Sequence, residues 1–266
     1  MAQNSRSATL KVGSLLILAL GIPPATYFAL PPATVQKLVP KTETEGTTFP
    51  PSKLPLTQER LGPEVKHPPR ITNVQIVDLD RDGIPDVLAC DALQNKVFWY
   101  RQAPLGQWDE RVLADGFVAP AHATTVDLDA DGDLDVLVSV LGNIFPDDGN
   151  VGRVVWLEQV GDQFVPHVLL DDVRRVADIQ AGDLDGDGDI DLAVAVFGYA
   201  RGQVLWLENR GGGKFRDHEL FYASGAIHVP LADFDGDGDL DIATVISQED
   251  EEIWGFENLG GGRFQS

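Results

Sequence analysis

Sixteen aspartates recur in one spacing, four times over, and carboxylates set this close together bind hard cations. The stretches are Asp78-Leu79-Asp80-Arg81-Asp82-Gly83-Ile84-Pro85-Asp86, Asp127-Leu128-Asp129-Ala130-Asp131-Gly132-Asp133-Leu134-Asp135, Asp183-Leu184-Asp185-Gly186-Asp187-Gly188-Asp189-Ile190-Asp191 and Asp233-Phe234-Asp235-Gly236-Asp237-Gly238-Asp239-Leu240-Asp241. Each reads D-x-D-x-D-G-x-x-D. The acids at positions 1, 3, 5 and 9 can face one ion only if the chain turns sharply, and glycine at 6 permits a positive φ. Unneutralised, such a cluster repels itself. Calcium suits it: the ion takes about 6–8 oxygens, and position 7 (Ile84, Asp133, Asp189, Asp239) can add a backbone carbonyl. The expectation is up to four Ca²⁺, with these residues as ligands. The first loop should bind weakest, because Arg81 sets a cation at its rim and Pro85 removes an N–H.

An EF-hand starts in the same way but needs a bidentate Glu at position 12. Ala89, Val138, Val194 and Thr244 stand there, inside apolar β-branched runs such as Leu192-Ala193-Val194-Ala195-Val196. Those runs read as buried strands, so the loops join strands, not helices.

The elements that must position the loops repeat with them. First aspartates at 78, 127, 183 and 233 give spacings of 49, 56 and 50 residues, the range of a propeller or solenoid array. Each unit reads as strand, loop, buried strand, aromatic strand, Gly-rich turn and outer strand, over about 71–119, 120–175, 176–225 and 226–266. The aromatic strand is Val97–Gln102, Val154–Gln159, Val204–Asn209 and Ile253–Asn258, carrying Trp99, Trp156 and Trp206. In the last copy the ring has moved one place, to Trp254, which sends it to the other face. The following turns run Gly106 to Trp108, Gly161 to Phe164, Gly211 to Phe215 and Gly260 to Phe264. The longer second unit carries its insertion at 142–152, a surface loop by composition.

Residues 1–70 differ in kind. Arg6 and Lys11 precede an apolar run from Val12 to Ile22 that resumes after Pro23-Pro24 as far as Leu30. At about nineteen residues in all it reads as a signal peptide or a retained membrane anchor over 1–30. Residues 31–70 are proline-rich without helix or strand period, a semi-extended spacer. The charge divides at the same place: eight Lys/Arg against four Glu before residue 71, twelve against thirty-eight acids after it. So acidic a region repels nucleic acid and anionic lipid. The single cysteine, Cys90, excludes an intrachain disulfide and reads as a core thiol.

These residues resemble the FG-GAP/VCBS repeat family, whose blades include those of the integrin α-subunit propeller. The resemblance covers about 71–266 and rests on the D-x-D-x-D-G-x-x-D loops, the W-L-E-N strand and Phe197-Gly198. It implies an all-β propeller of four-stranded blades, with Ca²⁺ between the first two strands of each. Family propellers commonly have about seven blades and this chain supplies four. The alternatives are a truncated larger propeller or a small closed ring, for which Gln58–Leu61 offers a faint outer strand to the fourth blade.

Five residues before each loop stands a polar side chain: Asn73, His122, Asp178 and His228. On first strands these would ring a central channel, with Arg175 nearby, as a wet rim or as an acid–base or metal site. Glu249–Glu252 reads as a solvated turn. No G-x-S-x-G, P-loop or H-E-x-x-H is present. Two readings remain. The first is an exported, non-catalytic calcium-binding module that engages protein or carbohydrate. The alternative is the propeller domain of a carbohydrate-active lyase or dehydratase, with its site at the channel. The binding reading is preferred, since metal and packing already account for the repeated residues.

Overall fold

The structure, a computed structural model, describes residues 60–64, 68–248 and 251–266. The leader or anchor expected at 1–30, most of the spacer, and Gln58, Glu59, Glu249 and Asp250 lie outside them. Every regular element among the described residues is a strand. The first sheet holds β1 (Ile71–Val77), β2 (Asp86–Asp91), β3 (Lys96–Gln102) and β4 (Trp108–Asp115). The second holds β5 (Pro120–Val126), β6 (Asp135–Val140), β7 (Gly152–Val160) and β8 (Gln163–Val173). The third holds β9 (Arg175–Gly182), β10 (Asp191–Phe197), β11 (Gln203–Asn209) and β12 (Phe215–Tyr222). In the fourth, β13 (Ala226–His228) and β14 (Leu231–Ala232) pair with β15 (Asp241–Ile246), followed by β16 (Glu252–Asn258) and β17 (Phe264–Gln265). Each is an antiparallel meander in chain order, as propeller blades are built. Pro230, which has no N–H to give a ladder, lies between β13 and β14.

The second strands are the apolar runs. β6 and β10 are buried along their whole length, since both faces of each sheet are covered. Each blade has a forward face toward the next blade and a rear face toward the one before. The forward residues Leu79, Leu88, Val97 and Trp99 meet the rear residues Ala123, Val136, Val155 and Leu157, and the second and third junctions repeat this pattern. Each fully buried aliphatic side chain contributes about 1.5–3 kcal/mol. The thiol of Cys90 is fully buried in the first junction, and burial pushes its pKa up to about 12.

Each junction is locked by the recurring tryptophan. Trp206 lies under the turn of the next blade, 5.9 Å from the Phe264 ring, and Trp99 meets Phe164 in the same way. A Cβ at Gly262 would sit 2.7 Å from Trp206 Cζ3 and closer still to Cη2. The glycine in the turn is therefore demanded by the ring it covers. In the fourth blade Gly255 pairs with Ala243 where the tryptophans of the other blades pair, and Trp254 turns to the rear face. There it packs at a tilt against Phe221 of the third blade, 4.7 Å between centroids.

Among the described residues no apolar cluster joins the fourth sheet to the first, so the closed four-blade ring is not shown. Val74 is 58% exposed where its equivalents Ala123, Ile179 and Val229 are buried. Ile253 is 80% exposed where Val97, Val154 and Val204 are fully buried. The outer strand expected of Gln58–Leu61 is also absent from its described part. Arg60 and Leu61 are not in a strand, and a Cβ at the adjacent Gly62 would press on Tyr100 and Glu110 of the first blade.

Candidate metal centres

Each loop bridges the first and second strands of its blade, and its own carboxylates hold its shape. Position 1 accepts the N–H of the glycine at 6: Gly83 onto Asp78 at 2.8 Å, Gly132 onto Asp127 at 3.1 Å, Gly188 onto Asp183 at 3.1 Å and Gly238 onto Asp233 at 3.2 Å. Position 5 accepts the N–H of position 7, as from Ile84 to Asp82 at 2.9 Å and from Asp133 to Asp131 at 2.8 Å. Asp187 and Asp237 do the same for Asp189 and Asp239. The glycines at 6 have φ between 86° and 101°. Position 4 is left-handed as well, with Arg81 at 55° and Ala130 at 59° beside Gly186 and Gly236. The sequence pattern did not reveal that second requirement, because only two of the four copies answer it with glycine.

Oxygens of Asp78, Asp80 and Asp86 converge to within 4.8 Å of one another. The same holds for Asp183, Asp185 and Asp191, and for Asp233, Asp235 and Asp241; in the second loop the trio is Asp127, Asp129 and Asp131. Position 5 in three loops and Asp135 in the second are outside these trios. The aspartates at 9 have a second task. They are buried, and each accepts the N–H of position 2 on one oxygen and that of the last residue of the aromatic strand on the other. For Asp191 the donors are Leu184 at 3.2 Å and Asn209 at 2.7 Å. Trp99 Nε1 adds a third donor to Asp86 at 2.9 Å. The Asn of the W-L-E-N strand completes the corner, as Asn209 Nδ2 donates to Ile190 O at 3.0 Å.

In the second and third loops the carboxylates are crowded. Burial, joined by neighbouring carboxylates, raises the pKa of Asp129, Asp135 and Asp185. Burial pushes Asp191 up to about 6, against the lowering effect of its Asn209 and Leu184 donors. Asp127 Oδ1 is buried with no donor at all. A divalent cation relieves each of these conditions, so the donor set fits calcium.

The first loop is different. Arg81, expected at its own rim, reaches across to the carbonyl of Gly132 in the second loop. Arg101, which the sequence reading passed over, bonds Asp80 through Nε and Asp82 through a terminal nitrogen at 3.2 Å. The signal lay in the frame, because Arg101 stands where the other blades have Glu158, Glu208 and Glu257.

The polar residues of the first strands also gather, through a recurring irregularity. In all four blades the strand register slips one residue before Asn73, His122, Asp178 or His228, a bulge that re-aims the side chain. His122 Nδ1 stands 2.9 Å from Asp178 Oδ1, and His228 Nδ1 contacts Oδ2. Val229 N and Ile179 N donate to the same carboxylate, each at 2.9 Å. Burial raises its pKa, but His122, Val229 and His228 outweigh that and hold it at about 2. Asp178 thus clamps three blades together, and its oxygens are already engaged. Asn73 stands apart from this trio and accepts from Ala123 N at 3.3 Å. Arg175 turns away, toward Phe145 O and the rings of Phe197 and Tyr199.

Beside the second loop, a cleft of 810 Å³ opens between the second and third blades. Trp156 with His167 tilted against it, Phe215, Glu158 and Asp189 line it.

No curated protein matches this chain. Among solved structures it is similar to a lectin of Agrocybe aegerita described for specific recognition of non-reducing terminal N-acetylglucosamine. The two are 22% identical, with a TM-score of 0.44 over 72% of this chain and 50% of the lectin chain, so this chain spans about half the lectin's length. The FG-GAP-like repeat model matches residues 67–138 and 183–244, together half of the chain. With the four blade sheets and their aspartate loops, that match places the chain in the FG-GAP-like repeat family.

Proposed function

We propose that this chain is a calcium-binding module that engages a protein or carbohydrate outside the cytoplasm and does no chemistry on it. Residues 1–30 act as its export signal or anchor, and 31–70 as the proline-rich spacer between that segment and the repeats of 71–266. The observation that carries the calcium reading is the convergence of three carboxylates in each of the loops beginning at Asp127, Asp183 and Asp233, with the donorless buried Asp127 Oδ1 among them. Asp127, Asp129 and Asp131 would hold one ion, Asp183, Asp185 and Asp191 a second, and Asp233, Asp235 and Asp241 a third. The ion would supply charge neutralisation and stiffen the corner between first and second strands. The cleft beside Asp129 supports the binding reading, since a lining that mixes aromatic rings with carboxylates suits a sugar or a peptide side chain. Against the lyase reading stands Asp178, whose carboxylate is taken up by hydrogen bonds from His228, Ile179, Val229 and Gln180, with His122 also against it, and is not available as a base.

Calcium titration of chelator-stripped protein tests this. A ligand bound only by the folded state stabilises by RT ln(1 + [L]/Kd), about 2.7 kcal/mol per site at a hundredfold excess. The melting temperature should rise with Ca²⁺ and fall with chelator. An unchanged melting curve refutes the calcium reading. A glycan and peptide array, run with and without Ca²⁺ on wild type and His167→Ala, tests the cleft.

A further inference from the structure

We propose that the first loop takes no calcium, because the guanidinium of Arg101 already occupies the ion's place, so that the chain binds three divalent ions and not four. This rests on the calcium reading above. A calcium shell in the Asp78 loop would draw on Asp80 and Asp82, yet an oxygen of each is bonded to Arg101, whose side chain is only 27% exposed. A divalent ion entering there must displace a fixed positive charge or sit against it. Asp80 Oδ1 is left without a donor, but the carboxylate that carries it is neutralised through Oδ2. The loop is nonetheless shaped like the others, with Asp78 accepting from Asp82 N and Gly83 N and Asp82 accepting from Ile84 N.

Two substitutions in the frame explain how the arginine came free to do this. In the second and third blades the residue at this place is an acid bonded across the sheet to a histidine that lies on the tryptophan. Glu158 meets His167 at 2.6 Å and Glu208 meets His218 at 2.9 Å, with the imidazoles 4.8 and 4.4 Å from Trp156 and Trp206. In the first blade Arg111 takes the imidazole's place, 4.8 Å over Trp99. Acid and histidine have both become arginine, so the cross-strand pair no longer forms and Arg101 turns onto the loop acids. A tethered cation cannot be removed by chelator. The corner between β1 and β2 therefore keeps its order when calcium is withdrawn, and calcium dependence is confined to the other three loops.

The test uses the 266-residue chain, stripped with chelator and titrated with CaCl₂ by calorimetry and equilibrium dialysis. Wild type should bind three ions. Arg101→Glu, which restores the acid of the other blades, should bind four. Hydrogen exchange on wild type in excess chelator gives a reading that does not depend on the variant folding. The amides of Asp82, Gly83 and Ile84 should stay protected while those of Gly132, Gly188 and Gly238 lose protection at least tenfold. Four ions on wild type, a folded Arg101→Glu that still binds three, or equal loss of protection in all four loops overturns the proposal. A wild type that binds no calcium in a folded state refutes the calcium reading itself.

Discussion

Replacing Gly262 by alanine tests the tryptophan lock between blades. Two costs fall on that side chain. The backbone is left-handed, with φ of 68°, which is worth about 1–2 kcal/mol against any residue with a Cβ. The new methyl would also meet the Trp206 ring at 2.7 Å from Cζ3, and forcing a group into packed space costs about 1–3 kcal/mol more. Gly261 serves as the control. Its φ is 66°, but a Cβ there meets nothing within 4 Å, so Gly261→Ala should incur the first cost alone. Urea unfolding of the two variants should differ by about 1–3 kcal/mol, the steric part of the lock. Trimming the ring makes a second check. In Trp206→Leu the atoms that a methyl at 262 would strike are gone, so the double variant should recover most of that difference as a coupling energy. Equal destabilisation at 261 and 262, or strict additivity of Gly262→Ala with Trp206→Leu, refutes the account of why these turns carry glycine.

Ala130 holds a φ of 59° on the exposed second loop, and Ala130→Gly should stabilise the chain by about 1 kcal/mol in chelator; a loss of stability in denaturant titration would contradict the backbone argument. The Asp178 pKa is lowered by folding to about 2, so the unfolded chain takes up the proton first. Its stabilisation is present above about pH 4 and lost as pH falls through 2, on the order of 2 kcal/mol. Asp178→Asn should flatten the wild-type stability profile in that window, and identical profiles would remove Asp178 as a clamp. Val74→Ala should stay within about 0.5 kcal/mol of wild type, whereas Ile179→Ala, the same strand position but fully buried, should cost about 2–5 kcal/mol. A comparable cost at Val74 would mean that its face is covered in solution.

The strand assignment was legible because local rules agree over short distances. Four apolar runs bounded by Asp/Gly loops can only be buried strands, and the period of the loops counts the sheets. The aspartates at positions 1 and 3 could be read as neighbours for the same reason, since a nine-residue turn brings them together whatever surrounds it. The sequence also showed that Trp254 had left its frame. What it had left for, the Phe221 ring of the preceding blade, depends on packing between residues more than thirty positions apart.

Three matters belonged to the tertiary structure. The aspartates at 9 look like the other loop aspartates in a string of letters, but they are also buried acceptors for amides from a strand 16 to 24 residues away. The bulges that bring His122 and His228 onto Asp178 leave no mark on composition, because a register slip is a property of two strands and not of one. Arg101 is the clearest case. Its letter is a plain exception to W-L-E-N, and only the fold shows that a charge 21 residues downstream of Asp80 is laid across the loop. Spacing along the chain determined which side chains could share a cation. What lies over a loop was decided by the neighbouring strand, which lays the Arg101 guanidinium on Asp80 and Asp82 of the first.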